Sequence, residues 1–191
     1  MVGARSLRPW RALRHPTIQV PPGHPGGAGA AGRVTLGGMK RHADLLEEAR
    51  ARVSELMPWD LAERLAQPAP PLLLDVREPA EFAALRIAGS INVPRGVLEQ
   101  ACEWDYDVTE PALAGGRGRE IVVVCRSGSR SVFAADVMQL LGFEHVRSLR
   151  TGLRGWNDFE QPLLDAAGAV LDGDEAQALL SPALRPQQRR P

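Results

Sequence analysis

One place in this chain has residue types and spacing that specify chemistry: a cysteine handed by a buried strand to a small polar loop. In Ile121-Val-Val-Val-Cys125-Arg126-Ser127-Gly128-Ser129-Arg130-Ser131 a continuous β-branched run, typical of a central parallel strand covered on both faces, ends at Cys125. The loop feeds directly into a helical pattern. In open α/β sheets the ligand crevice lies at the carboxyl ends of the strands, and a helix N-terminus offers unpaired amides and partial positive charge to anions. The amides of residues 126–130 can therefore curl around the sulfur, and Arg126 and Arg130 add full charges that favour thiolate over thiol. Cysteines in such settings have pKa values lowered to about 3.5–7.5 from about 8.5, which makes them nucleophilic at neutral pH. The same cradle suits a persulfide anion. The competing reading, an inert cysteine at a strand end, does not account for a Gly/Ser loop with two arginines.

The elements that position this loop follow from apolar periodicity. Leu45, Leu46, Ala49, Val53 and Leu56 recur at helical spacing and predict an amphipathic helix from Ala43 to Leu56, stopped by Pro58. A second short helix spans Leu61 to Ala66, and Leu72-Leu-Leu-Asp75 reads as a buried strand with its Asp at the carboxyl end. Helices are expected at Glu78 to Leu85 and Gly96 to Trp104, with a brief strand Ile91-Asn-Val93 between them. After the strand that ends at Cys125, Ser129 to Leu141 reads as a helix closed by Gly142, His145 to Leu149 as a strand, and Gly152 to Phe159 as a last helix. Beyond Gln161 only Glu175 to Leu180 has a weak helical pattern. Strands alternating with helices imply a parallel sheet covered on both sides, so the fold class is α/β. Trp59, Trp104 and Trp156 sit where helices meet the sheet and are read as core packing.

Composition narrows the function classes. The chain has 191 residues and 44% apolar content, enough for one full core and one site. No stretch approaches the roughly 18 apolar residues that span a bilayer, so no membrane partner is expected. Residues 1–38 hold five arginines and no acid, which leaves 18 basic against 23 acidic residues in the remainder. Those charges are interleaved, so no phosphate-tracking stripe forms and nucleic acid is not an expected partner. With only two cysteines, Cys102 and Cys125, there is no disulfide framework, and a reducing compartment such as the cytoplasm follows. The Pro/Gly/Arg-rich segment 1–38, with Val20-Pro-Pro-Gly-His-Pro-Gly-Gly27 at its centre, is expected to remain disordered, or to be read-through upstream of a start at Met39. The remaining boundaries are 39–57 for an N-terminal amphipathic helix, 58–162 for the domain and 163–191 for a C-terminal tail.

Five stretches in this order resemble the rhodanese homology domain, in its single-domain form: Leu72-Leu-Leu-Asp75-Val-Arg77-Glu78-Pro-Ala-Glu81-Phe82, Ile87-Ala-Gly89-Ser-Ile91-Asn92-Val-Pro94, Val124-Cys125-Arg126-Ser-Gly128-Ser-Arg130-Ser131, Gly142-Phe143, and Gly152-Leu-Arg-Gly-Trp156. The resemblance implies a three-layer α/β domain with a five-stranded parallel sheet. It also implies a double displacement in which sulfane sulfur moves from a donor, thiosulfate or a persulfide, onto Cys125. From there it passes to cyanide, a thiol or a sulfur-carrier protein, with no metal or organic cofactor. Arg126, Ser127, Gly128, Ser129 and Arg130 would bind the substrate. Asp75 and Arg77 would support the loop structurally rather than act on substrate.

Two positions depart from the family pattern. Leu85-Arg86 stands where a Gly-His pair is usual, and the glycine pair before the last helix is reduced to Thr151-Gly152. Arg86 is read as a solvated surface cation that would alter substrate choice if it turned toward the crevice. Cys102 is read as a packing residue on its helix, and His145 is rejected as a base for Cys125. Two other functions compete. Related phosphatases and arsenate reductases look like Cys-x5-Arg, whereas Cys125 to Arg130 is Cys-x4-Arg, a narrower loop suited to a single sulfur. Non-catalytic rhodanese-like binding modules usually lose the cysteine or the loop, and this chain keeps both.

Overall fold

The computed structural model describes residues 39–189, so the expectations for residues 1–38 lie outside the described residues. The chain runs α1 (His42–Arg50), β1 (Glu55–Leu56), α2 (Pro58–Leu65), β2 (Leu72–Asp75), α3 (Pro79–Ala84), β3 (Ile91–Asn92), α4 (Leu98–Ala101), α5 (Pro111–Ala114), β4 (Ile121–Val124), α6 (Ser129–Leu140), β5 (Val146–Leu149), α7 (Gly152–Asp158) and α8 (Gly173–Leu180). The five strands form one sheet in the order β1-β5-β4-β2-β3, and each pairing is parallel. The α/β class and the five-stranded parallel sheet expected from the sequence are both present.

Strand alternation divides the core into two layers of packing. Leu72, Leu74, Ile121, Val123 and Cys125 face α1, α4, α5 and α6, where Ala49, Leu98, Leu113, Val132 and Met138 are buried. Leu73, Val122, Val124 and Leu149 face the other way, onto Leu61 of α2, Leu153 and Trp156 of α7, and Ala176 and Leu180 of α8. Helices on both faces of the sheet make three layers. β4 lies at the centre, buried along its whole length.

Several elements differ from the sequence expectation. The helix predicted through Leu56 ends at Arg50, and Glu55–Leu56 instead pairs with Ser148–Leu149 as the outer strand. Pairing along the free edge of β5 outweighs helical periodicity here. Gly96 to Trp104 is a 3-10 turn, Arg95–Val97, followed by the single-turn α4. Trp59 and Trp104 are 45% and 54% exposed, so only Trp156, at 2%, is the core residue all three were expected to be. The weak pattern near 175–180 is a formed helix, α8, whose Ala176 and Leu180 are buried. The Arg154 Nε donates to the Leu180 carbonyl at 3.0 Å and ties α8 to α7.

Candidate active site

Cys125 follows β4 directly and is 1% exposed. Its carbonyl and that of Arg126 accept hydrogen bonds from Leu153 N (2.8 Å) and Arg154 N (3.1 Å), so the first turn of α7 holds the outer side of the loop. This leaves the loop amides free to turn inward. Gly128 reaches the helix in the left-handed region, φ 89°, which lets its amide point at the sulfur at 3.2 Å. Gly152 has φ 61°, and a Cβ there would stand 2.3 Å from the Cys125 carbonyl oxygen and 2.7 Å from the Ser127 nitrogen. The close approach of α7 to the loop is therefore possible only with glycine. Thr151 keeps the left-handed turn, φ 65°, at the place where the sequence departs from a glycine pair.

Of the amides expected to ring the sulfur, Gly128 is the one within hydrogen-bonding distance. A second contact was not anticipated. The Ser131 hydroxyl lies 3.4 Å from Cys125 Sγ and 3.2 Å from the Gly128 carbonyl, to which it donates, and Ser148 Oγ donates to Ser131 Oγ at 2.9 Å. Both serines are fully buried. The available signal was strand alternation, which puts Ser148 on the same face as Val146 and in register with Val123.

The two loop arginines are not equivalent. Arg130 donates from Nη1 and Nη2 to the two carboxylate oxygens of Glu81 at 2.6 and 2.8 Å, a bidentate pair with α3. That hydrogen bonding holds the Glu81 carboxyl below its ordinary range against the opposing effect of burial. Arg130 is raised by the same partner, with a smaller contribution from Cys125. Its charge is thus largely compensated, contrary to the expectation that it adds a free cation to the loop. Arg126 is half-buried, and its Nε is buried without a hydrogen-bond partner. Ser127 is exposed and Ser129 half-buried at the start of α6.

Asp75 and Arg77 lie at the carboxyl end of β2, beside the site but not on the sulfur. The Arg77 guanidinium binds both Asp75 oxygens at 2.7 to 3.0 Å and the carbonyls of Glu81 and Leu85. Asn92 closes the turn by donating to the Asp75 and Arg77 carbonyls. The pair is 0% and 2% exposed and spans β2, α3 and the chain leading to β3. Arg86 is half-buried with its guanidinium 5.6 Å from the centre of the Phe82 ring, so it is neither fully solvated nor on Cys125. His145 precedes β5 at the amino end of the sheet, opposite the Cys125 end. Cys102 is buried in the α6-side core, and burial pushes its thiol up to about 11. A cavity of about 490 Å³ between α2, α7 and the start of β2 contains no residue of the 125–130 loop. No cluster of three or more His, Cys, Asp or Glu able to hold a metal exists among the described residues.

A central parallel strand that ends in a cysteine, whose loop is capped by a helix on each side, defines a class of α/β domain. The family model for the rhodanese-like domain matches residues 57–159, and the chain belongs to that family. It is 30% identical to a sulfurtransferase of Allochromatium vinosum over 117 residues, which cover 61% of this chain and 99% of the relative. Thiosulfate sulfurtransferase from Pseudomonas aeruginosa superposes with a TM-score of 0.53 at 25% identity, over 71% of this chain and 25% of that one. A protein of unknown function from Rhodopseudomonas palustris, described as a possible tyrosine phosphatase, superposes with a TM-score of 0.57 at 25% identity over 64% and 93% of the two chains. The rhodanese domain and its sulfurtransferase relatives support sulfur transfer as the general activity. No helix among the described residues is long and apolar enough to cross a membrane.

Proposed function

We propose that the protein is a thiosulfate-type sulfurtransferase whose persulfide forms on Cys125. The observation that carries this reading is the position of Cys125 Sγ, 3.2 Å from the Gly128 amide at the carboxyl end of the central strand. In the first step the Cys125 thiolate attacks the sulfane sulfur of thiosulfate. A new S–S bond forms, the donor's S–S bond breaks, and sulfite leaves with its electron pair. In the second, cyanide or an acceptor thiolate attacks the outer sulfur, and the Cys125 thiolate is the leaving group. Charge and electrons balance in each step without a cofactor.

The residues present suit these steps. Arg126 has an unsatisfied buried nitrogen that a donor anion would complete. Ser131 can turn its proton from the Gly128 carbonyl to the sulfur as negative charge develops, while Ser148 continues to donate to it. Ser127, exposed, and Ser129, half-buried, would line the approach. The two free thiols fit a reducing compartment, for which we infer the cytoplasm.

The phosphatase reading suggested by the Rhodopseudomonas neighbour is disfavoured. Phosphoryl chemistry needs the loop arginine turned onto the tetrahedral anion, and Arg130 is instead engaged by both oxygens of Glu81. A non-catalytic binding module would not need the retained cysteine. Cys125→Ser is expected to abolish thiosulfate:cyanide transfer with the fold intact, while Cys102→Ser keeps most activity. A dead Cys102→Ser enzyme and an active Cys125→Ser enzyme would overturn the assignment.

A further inference from the structure

The strand order β1-β5-β4 sets three turns side by side on the carboxyl edge of the sheet. Met57 to Trp59 follow β1, Arg150 and Thr151 follow β5, and Cys125 and Arg126 follow β4. Neighbouring strands are about 4.8 Å apart, so the row spans about 10 Å from the start of α2 to the sulfur. Trp59 and Phe159 are exposed by 45% and 42%, with their rings edge to face and 5.9 Å between centroids. Beside them is a recess of about 210 Å³, also lined by Met57, Pro58, Thr151, Gly155 and Asp158. Its wall is continuous with the active loop, since a Cβ on Gly128 would stand 3.1 Å from Thr151 N and Gly152 packs against the Cys125 carbonyl.

An exposed Trp beside a recess, with arginines nearby, has the make-up of a binding hot spot. The recess itself carries one carboxylate, Asp158, whereas the turns after β5 and β4 carry the cations Arg150 and Arg126, so the acidic part of a partner belongs at that end of the row. Among the described residues neither Arg126 nor Arg150 has a carboxylate within ion-pair distance, and residues 1–38 contain no Asp or Glu to supply one. Cys125 is only 1% exposed, so a small anion or a thiol on a narrow extended segment can reach it, and a thiol on a flat face cannot.

We propose that this edge docks a protein sulfur acceptor, through an acidic extended segment that carries the accepting cysteine. An apolar side chain of that segment fills the recess beside Trp59 and Phe159, and its carboxylates lie against Arg126 and Arg150. This rests on the sulfurtransferase reading of Cys125. The acceptor thiolate supplies the electron pair of the new S–S bond, the bond from the outer sulfur to Cys125 Sγ breaks, and Cys125 leaves as thiolate. No outside oxidant is required.

The full chain, supplied with thiosulfate, is offered two cysteine peptides of equal length with a leucine near the cysteine. One is flanked by Asp and Glu, the other by Lys. Peptide persulfide is read by mass spectrometry and thiosulfate:cyanide turnover is followed in parallel. The acidic peptide is expected to have a KM lower by about tenfold, and Trp59→Ala with Phe159→Ala, or Arg150→Glu alone, should raise that KM by about tenfold. Cyanide turnover should stay within about twofold in the same variants. Arg150→Glu changes an exposed side chain, so it keeps the test valid where the aromatic variant misfolds. Equal KM values for the two peptides, or an unmoved KM in Arg150→Glu, would overturn the proposal. So would a wild-type dimer that dissociates on Trp59→Ala, since a second copy would then fill the recess. Absence of cyanide turnover in the wild type would instead overturn the sulfurtransferase reading itself.

Discussion

Two arginines flank the cysteine in the sequence, and their partners make them different residues. From the sequence both have the same part, a full charge beside the thiolate that helps bind the donor anion. The bidentate bond to Glu81 makes Arg130 a strut between the loop and α3, and leaves Arg126 as the cation whose buried nitrogen lacks a partner. Arg126→Ala is therefore expected to lower kcat/KM for thiosulfate by about tenfold or more, the scale of one charge-assisted contact of about 1.5–3 kcal/mol. Arg130→Ala should instead lower thermal stability and reduce kcat/KM less. Steady-state rates and melting curves on the two variants check this, and the reverse ranking would return Arg130 to the anion site. The cysteine, both arginines and Gly128 were legible because they are contiguous. The role of Ser131, which meets the sulfur from the first turn of α6, and its bond from Ser148, 17 residues further along the chain, were not, because that bond depends on β4 and β5 being neighbours.

Elements around the loop act mainly by holding its backbone. The first turn of α7 donates two amides to loop carbonyls, and only Gly152 allows it to come so close. In Gly152→Ala the new methyl would meet three backbone atoms that cannot swing aside. A loss of about 1–3 kcal/mol in stability is expected from such overpacking. Sulfur transfer should fall further, by about 10²–10³, because a donor to developing charge acts only at its proper distance. Urea unfolding paired with turnover measures both, and an alanine variant with wild-type activity would show that α7 does not set the loop. At this scale periodicity identified the central strands, α6 and α7, whose apolar residues are buried through local spacing. It failed at Glu55–Leu56, where two residues satisfy a helical pattern and also pair with β5. It failed again at Trp59 and Trp104, since the aromatic character that suggests a core does not reveal that Trp59 lies on the outward side of α2 or that Trp104 lies beyond the end of α4.

Across the whole molecule the sheet is closed on its α7 side by residues beyond the region that resembles the family. Leu163 and Leu180 are 1% exposed, Ala176 likewise, and Leu164 exchanges backbone hydrogen bonds with Arg86. Each fully buried leucine contributes about 1.5–3 kcal/mol, a large share of the roughly 5–15 kcal/mol that stabilises a domain. A chain ended at residue 162 is thus expected to melt at a markedly lower temperature, and calorimetry that found no change would show the tail to be dispensable. The central claim, that Cys125 carries sulfur, concerns a single covalent state. The most direct measurement is the intact mass of the purified protein after incubation with thiosulfate, with peptide mapping of both cysteines. A gain of one sulfur atom on Cys125, released by cyanide and absent from Cys125→Ser, is the expected result. Turnover of thiosulfate with no added sulfur on Cys125, or with the sulfur on Cys102, would contradict the account.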